Sequence, residues 1–440
     1  MGLPTLLKHV RHSQFIRHNT ILLLGSVMVG ALNYLYYPIM GRLLEPASFG
    51  EVQTLVSLFL QLTIFLSVFG LVTVNIVANY QDDSSRNAVI LAFEKLALSI
   101  SLGLLIITVV LQAPLADFFH FDSALPFVIL MSSLLFAVPF TFRSAFLRGR
   151  QKFGLYTVVN LLGAGGKLLL SPLLIVLGLG TAGAIGGLVT AQALACALAV
   201  FFALRLGLKR PKGSSPLGAK GMKAIIPELR YGLLVLTGSL VITMQYSVDI
   251  MVIKHYFDAE TAGLYAGIAS VARIIFFLTA SVAMVLMSSV TMQQAAPKNR
   301  SQLIKSFALL SVLGLPPLGL FALAPKFIIT MLMGPQYLAL AELLPPLSLT
   351  IFIVSALNLL IAYYLSLRRY GVAPVVLAGA LITYVFILLH HGTPAAVVYD
   401  LLWGSVLMLG AFGAWITITH IRGRYAGSAA AADINHYSGA

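Results

Sequence analysis

Twelve stretches of this chain are apolar for long enough to cross a lipid bilayer: roughly 19–40, 52–77, 90–113, 124–142, 155–178, 181–204, 231–254, 262–289, 303–324, 343–366, 371–390 and 395–419. A hydrocarbon core needs about 20 apolar residues in helical form. The expected fold class is therefore all-α integral membrane, with about twelve transmembrane helices. Composition enters as a check. The chain is 59% hydrophobic and 10% charged, whereas soluble domains carry about 25% charged residues, so lipid must be the solvent for most of its surface. Pro38, Pro139 and Pro172 interrupt the runs, which membranes tolerate because neighbouring helices re-satisfy the freed backbone groups. Lys8, Arg11 and Arg17 precede the first run, which is long enough to span and lacks a small-residue cleavage site. It reads as a span and not as a cleaved leader.

The net charge of +14 would suggest nucleic acid in a soluble protein, but here the 28 Lys and Arg sit in short clusters between runs. With the N-terminus taken as cytoplasmic, only Arg42, Lys254 and Lys326 fall outside, Lys167 and Arg273 fall within runs, and the other 23 fall inside. Such a bias is the positive-inside signal, and it places both termini in the cytoplasm. The longest hydrophilic break, about 205–230, is basic and rich in Pro, Gly and Ser, a linker suited to an anionic lipid surface. It divides the chain into an N-terminal six-helix lobe (1–206), a linker (207–229), a C-terminal six-helix lobe (230–424) and a tail (425–440) expected to be disordered. Cys196 is the single cysteine and excludes an internal disulfide.

The halves echo each other. A shift of 213 positions sets Gly25-Ser26 on Gly238-Ser239, Glu45 on Asp258 and Gly50 on Gly263 without a gap. Six spans separate the copies, so the repeat is parallel and its axis runs along the membrane normal, as in transporters whose lobes face each other across a cleft. The acidic residue near each second helix start offsets the dipole, and the glycine permits a tight turn or close packing.

Charges at mid-membrane mark sites by default. Arg273 lies about eleven residues into the eighth run, Lys167 about twelve into the fifth, and Asp249 reads as the only acidic residue within a span. Arg273 is a candidate substrate-binding cation or the partner of a structural ion pair with Asp249. Lys167 is a second candidate, unless its stem snorkels to an interface. Asp249 is a candidate proton or sodium site, or a partner for Arg273 or Lys254. Arg42, Lys254 and His255 stand at the outer mouths of runs one and seven, as anion attractors or as ordinary interfacial side chains. Asn33, Gln61, Asn75 and Gln245 could hydrogen-bond a sugar or tie helices together. Arg143, Arg148, Arg150 and Lys152 cluster at the inner end of run four, as a topology signal or as a funnel. There is no Walker A sequence, no dinucleotide fingerprint and no metal-ligand spacing. No catalytic residue, cofactor or metal is expected, beyond ion coupling at Asp249.

At GRLLEPASFGEVQTLVSL and DIMVIKHYFDAETAGLYAGIASVARI the chain resembles the polysaccharide-flippase branch (Wzx-type O-antigen and exopolysaccharide flippases) of the multidrug/oligosaccharidyl-lipid/polysaccharide (MOP) exporter superfamily. Gly41, Arg42, Glu45, Pro46, Phe49 and Gly50 carry the first motif. Asp249, Lys254, Glu260, Ala262, Gly263, Leu264 and Tyr265 carry the second. The resemblance implies a MATE/MOP-like fold in a bacterial or archaeal cell membrane. It implies a polyprenyl-pyrophosphate-linked oligosaccharide moved from the cytoplasmic to the outer leaflet by alternating access, for lipopolysaccharide or exopolysaccharide synthesis. Membrane lipid and a polymerase or ligase are the implied partners. Arg273 and Lys167 would then meet the pyrophosphate, and Asn33, Gln61, Asn75 and Gln245 the sugars. The family lines its cavity with spans one, two, seven and eight, which favours Arg273 over Lys167. The rival readings are an ion-coupled small-molecule exporter dependent on Asp249 and an inert scaffold of a glycan-assembly complex. A lipid II flippase would usually have fourteen spans.

Overall fold

The computed structural model describes residues 14–80, 82–209, 219–290, 295–369 and 371–437. Among them there are helices and no strands. The first lobe contains α1 (Gln14–Leu43), α2 (Pro46–Asn79), α3 (Asp83–Val110), the short α4 (Gln112–Phe118) and α5 (Leu125–Ser132), α6 (Leu134–Gly149), α7 (Phe153–Leu174) and α8 (Gly180–Arg205). The second contains α9 (Ala219–Tyr256), α10 (Ala259–Ala272), α11 (Ile274–Ser289), α12 (Ala296–Leu323), the short α13 (Pro325–Leu332), α14 (Leu344–Ser366), α15 (Val372–Leu389) and α16 (Pro394–Tyr437). Lys8, Arg11 and linker residues 210–218 lie outside the described residues. α9 begins about twelve residues before its apolar run, and α16 continues through 425–437.

Nine continuous helical stretches of the described residues are long and apolar enough to cross a membrane, or ten with the pair α10 and α11, bent by 41°. One of the nine, Phe153–Arg205, makes two crossings. It reverses at a π-helical turn, Ile175–Leu179, where Gly178 (φ 87°) and Gly180 (φ 48°) take a backbone that other residues avoid. α7 and α8 then pack closely: Ser171 Oγ donates to the Ala184 carbonyl at 2.8 Å, and a Cβ on Gly187 would lie 2.4 Å from the Ser171 nitrogen. With α1, which carries the first apolar run (19–40), the crossings number twelve, in register with the twelve runs.

The two hairpins of the repeat set how the lobes meet. Pro46 opens α2 at the position where its missing N–H costs nothing. Asp258 caps α10 by accepting the Thr261 N–H at 2.9 Å, and that bond holds its carboxyl below the usual carboxylate range. Asp82 caps α3 in the same manner, through Ser84 and Ser85. At the end of the molecule that carries these hairpins, one hydrophobic core joins both lobes: Tyr36, Met40, Phe49 and Leu55 with Tyr265, Ile268, Tyr337 and Leu344. Toward the linker the cores separate, Val72, Ile76, Val89 and Phe142 in one lobe, Val241, Val354, Val376 and Phe412 in the other. Large apolar side chains such as Leu169, Val176, Val312 and Leu323 stay exposed on the outside, the surface a lipid would cover.

The reading of Asp249 as the only acid within a span is corrected. Glu94, in the third run, is buried on α3 and pairs with Arg143 of α6 at 3.0 Å. Arg143 is therefore an internal partner as well as part of a basic cluster. A buried charge is retained when it is paired, and here the partner lies 49 positions away in sequence.

Candidate functional site

A cavity of about 440 Å³ opens between the lobes, walled by α1, α2, α6, α7 and α8 on one side and α9 and α11 on the other. Its polar groups are Asn33 and Tyr37 from α1, Asn160 and Lys167 from α7, Gln192 from α8, and Thr243 and Tyr246 from α9. Phe59, Phe140, Phe276 and Phe277 supply apolar faces. The local reason is legible on the helices. Asn33 and Tyr37 are four apart, Asn160 and Lys167 seven apart, so each pair shares one face. The adjoining side of α7 is small: a Cβ on Gly166 would lie 3.1 Å from Ala191 Cβ, and one on Gly163, at the cavity's edge, 3.4 Å from Ala195 Cβ. That side packs on α8 and turns Lys167 toward the space between the lobes. Its Nζ lies 4.7 Å from the centre of the Tyr36 ring, a cation–π contact.

Arg273 does not line this cavity. It sits at the bend between α10 and α11, 4% exposed, and its Nη2 pairs with Asp249 Oδ1 at 2.7 Å. Asp249 Oδ2 accepts from the Tyr265 hydroxyl at 2.8 Å. The guanidinium lies 4.8 Å behind the ring of Tyr246, the residue that presents to the cavity. The structural ion pair, one of the two sequence readings, is thus what the geometry holds. The charge of Arg273 is paired and covered, whereas Lys167 lines the cavity.

The other candidates scatter. Gln61 Nε2 donates to Ser247 Oγ at 3.0 Å, tying α2 to α9. Gln245 is 2% exposed and absent from the cavity wall. Asn75 lies in the last turns of α2, toward the linker. Asn33 alone of the four amides reaches the cavity. Arg42, Lys254 and His255 belong to the hairpin end. Arg42 Nε donates to the Leu332 carbonyl at 3.2 Å, and its Nη2 to that of Met331. His255 Nδ1 donates to the Phe118 carbonyl at 2.7 Å, with the two rings stacked 3.9 Å apart. Lys254 is not an interfacial snorkeller: it is fully buried, 5.1 Å from the centre of the Phe121 ring and within electrostatic reach of Glu51 and Asp122 of the other lobe. The Tyr337 hydroxyl donates to the Gly41 carbonyl at 3.1 Å. These contacts all cross between lobes and seal the cavity at the hairpin end.

Sequence reasoning missed Tyr37, Tyr246, Phe276 and Phe277, which form a connected aromatic shelf: Tyr246 to Phe276 at 4.9 Å, Tyr37 to Phe277 at 6.1 Å. It also missed Asn160, Gln192 and Thr243. The spacing of Asn160 from Lys167 was the available signal.

Twelve crossings in two lobes around such a cavity define a multi-pass membrane transporter of the MOP type. The chain belongs to the family of polysaccharide biosynthesis proteins, which it matches over residues 39–342. This is the polysaccharide-flippase branch that both hairpin motifs resemble. Its fold is similar to an inward-facing multidrug resistance MATE family transporter of the MOP superfamily, with a TM-score of 0.70 at 15% identity over 91% of this chain and 98% of the other. It is also similar to the lipid II flippase MurJ in an inward closed conformation, with a TM-score of 0.68 at 13% identity over 91% and 87%. An outward-facing MATE family transporter gives 0.53 at 16% identity over 92% and 96%. None of the curated proteins matches the chain.

Proposed function

We propose that this protein carries a polyprenyl-diphosphate-linked oligosaccharide from the cytoplasmic to the outer leaflet of the cell membrane by alternating access. The observation that carries this reading is the cavity between the lobes, in which one cation, Lys167, stands among amides, hydroxyls and aromatic faces. A diphosphate needs a cationic partner away from water, and sugar hydroxyls need hydrogen-bonding groups. The prenyl tail stays in lipid at the gap between lobes. Both termini and the basic linker face the cytoplasm, so the hairpin end faces outward and the conformation is closed to the outside. Rocking of the lobes would break the hairpin contacts and open the cavity there. Glycan polymerase or ligase enzymes would take up the product on the outer leaflet.

The test is translocation of a diphosphate-linked glycan by the purified protein in liposomes, read by accessibility to an external label. Lys167→Ala is expected to slow it by about ten- to a hundredfold, the loss of one hydrogen bond to a charged group, with no fall in melting temperature. The same variant in cells should build up lipid-linked glycan on the cytoplasmic leaflet. Translocation at the wild-type rate by Lys167→Ala would remove the reading of that residue, and no translocation by wild type would remove the flippase reading.

A further inference from the structure

We infer that the glycan this cavity accepts is uncharged, with the diphosphate as the sole anionic group that enters. The inference rests on the flippase reading above and names the substrate class within it. Lys167 is the only charged residue lining the cavity among the described residues, and no carboxylate lines it. The second candidate cation is not in reserve: Arg273 is closed in its 2.7 Å pair with Asp249 and screened by Tyr246. A diphosphate already exceeds the charge of Lys167. A uronic acid or another acidic sugar would add a carboxylate that must leave water without a partner, and an unpaired ion in an apolar setting is strongly disfavoured. A free amino sugar meets the converse problem, since no acid waits for it.

The remaining wall suits neutral sugars. Tyr37, Tyr246, Phe276 and Phe277 present a continuous aromatic shelf against which the C–H faces of pyranose rings can lie. Asn33, Asn160, Gln192 and Thr243 can satisfy hydroxyls. Asn160 Nδ2 already donates to the Tyr156 carbonyl at 2.8 Å, which leaves its oxygen as an acceptor. Pockets built from aromatic faces and a few placed polar groups recognise shape and hydroxyl pattern, not charge.

The experiment uses the full-length protein in liposomes with two probes: a polyprenyl-diphosphate-linked neutral disaccharide, and the same lipid with the terminal hexose replaced by its hexuronic acid. Wild type should move the neutral probe at least about tenfold faster. Adding a cation to the wall should narrow or reverse that gap, by Thr243→Lys and independently by Gln192→Lys, so that misfolding of one variant does not decide the matter. Equal rates for both probes, or a faster acidic probe, would overturn the inference and leave the flippase reading intact. A gap unchanged in both folded lysine variants would also overturn it, since the discrimination would then not be electrostatic. If neither probe moves, the flippase reading fails and the inference with it.

Discussion

Gly263→Ala is expected to hold the two hairpins apart and to slow translocation by about ten- to a hundredfold or more, the effect of an overlap costing about 1–3 kcal/mol in a packed contact. A Cβ at this position would lie 1.8 Å from the Pro46 carbonyl oxygen, 2.1 Å from its carbon and 2.8 Å from the Ala47 nitrogen. All three atoms are backbone of the opposite lobe, so no side-chain rotation relieves the overlap. The repeat-related Gly50 is gentler: its Cβ would meet Gly263 Cα at 2.8 Å. The clash lies in the core that both lobes share at the hairpin end, while the separate cores toward the linker are untouched. The variant should therefore insert and keep those cores and yet fail to close at the hairpin end. The readout is thiol crosslinking of Phe118→Cys with His255→Cys, whose parent rings stack 3.9 Å apart, by a short bifunctional reagent in a Cys196→Ala background. Crosslinking should be strong in the parent, weak with Gly263→Ala, and unchanged with Gly30→Ala, where nothing lies within 4 Å. Wild-type crosslinking and transport by Gly263→Ala would show that the close approach is dispensable.

That prediction draws on what the sequence shows most clearly. Run lengths register the crossings because the bilayer imposes one length on every helix, and a gapless shift of 213 aligns two glycines that meet across the lobes. Position within a run is also readable: Lys167 falls inside α7 and Arg273 at the bend between α10 and α11. Direction is not. Whether a mid-membrane charge faces a cavity or a partner depends on side chains from other elements. Asp249, 24 residues away, closes off Arg273, and Arg143 takes up Glu94. A small-residue face on α7 frees Lys167 to face the cavity, a consequence of which helix α8 packs on and so invisible until the π turn at Gly178 is known. The aromatic shelf was hidden for another reason. Tyrosine and phenylalanine in an apolar run look like lipid-facing or core residues until two lobes are set opposite one another.

The burial of the Arg273–Asp249 pair yields a second large effect, with a sign pattern that separates structure from mechanism. Asp249→Ala leaves a guanidinium that is 4% exposed without its counter-charge and the Tyr265 hydroxyl without its acceptor. Breaking a buried pair in this way typically costs about 3–5 kcal/mol. Arg273→Met leaves a carboxylate that is 3% exposed, held by Tyr265 alone, and should be comparably destabilised. Both single variants are expected to melt far below wild type and to lose transport as a consequence. The triple change Asp249→Leu, Arg273→Met and Tyr265→Phe removes every charge and hydroxyl of the cluster at similar volume, and replacing a buried ion pair by apolar groups is often neutral or stabilising by about 1–4 kcal/mol. Its stability should return to near wild type. Because the cluster lies behind Tyr246 and outside the cavity wall, translocation should return as well, to within about tenfold. Melting in detergent and flipping in liposomes, measured on the same four proteins, check both halves. A triple variant that is stable but does not flip would mean that the pair opens and closes during the cycle, with Asp249 as the group that exchanges a proton or sodium ion for Arg273. The expected outcome instead assigns it to holding the bend between α10 and α11, which sets the angle at which Phe276 and Phe277 meet the other lobe.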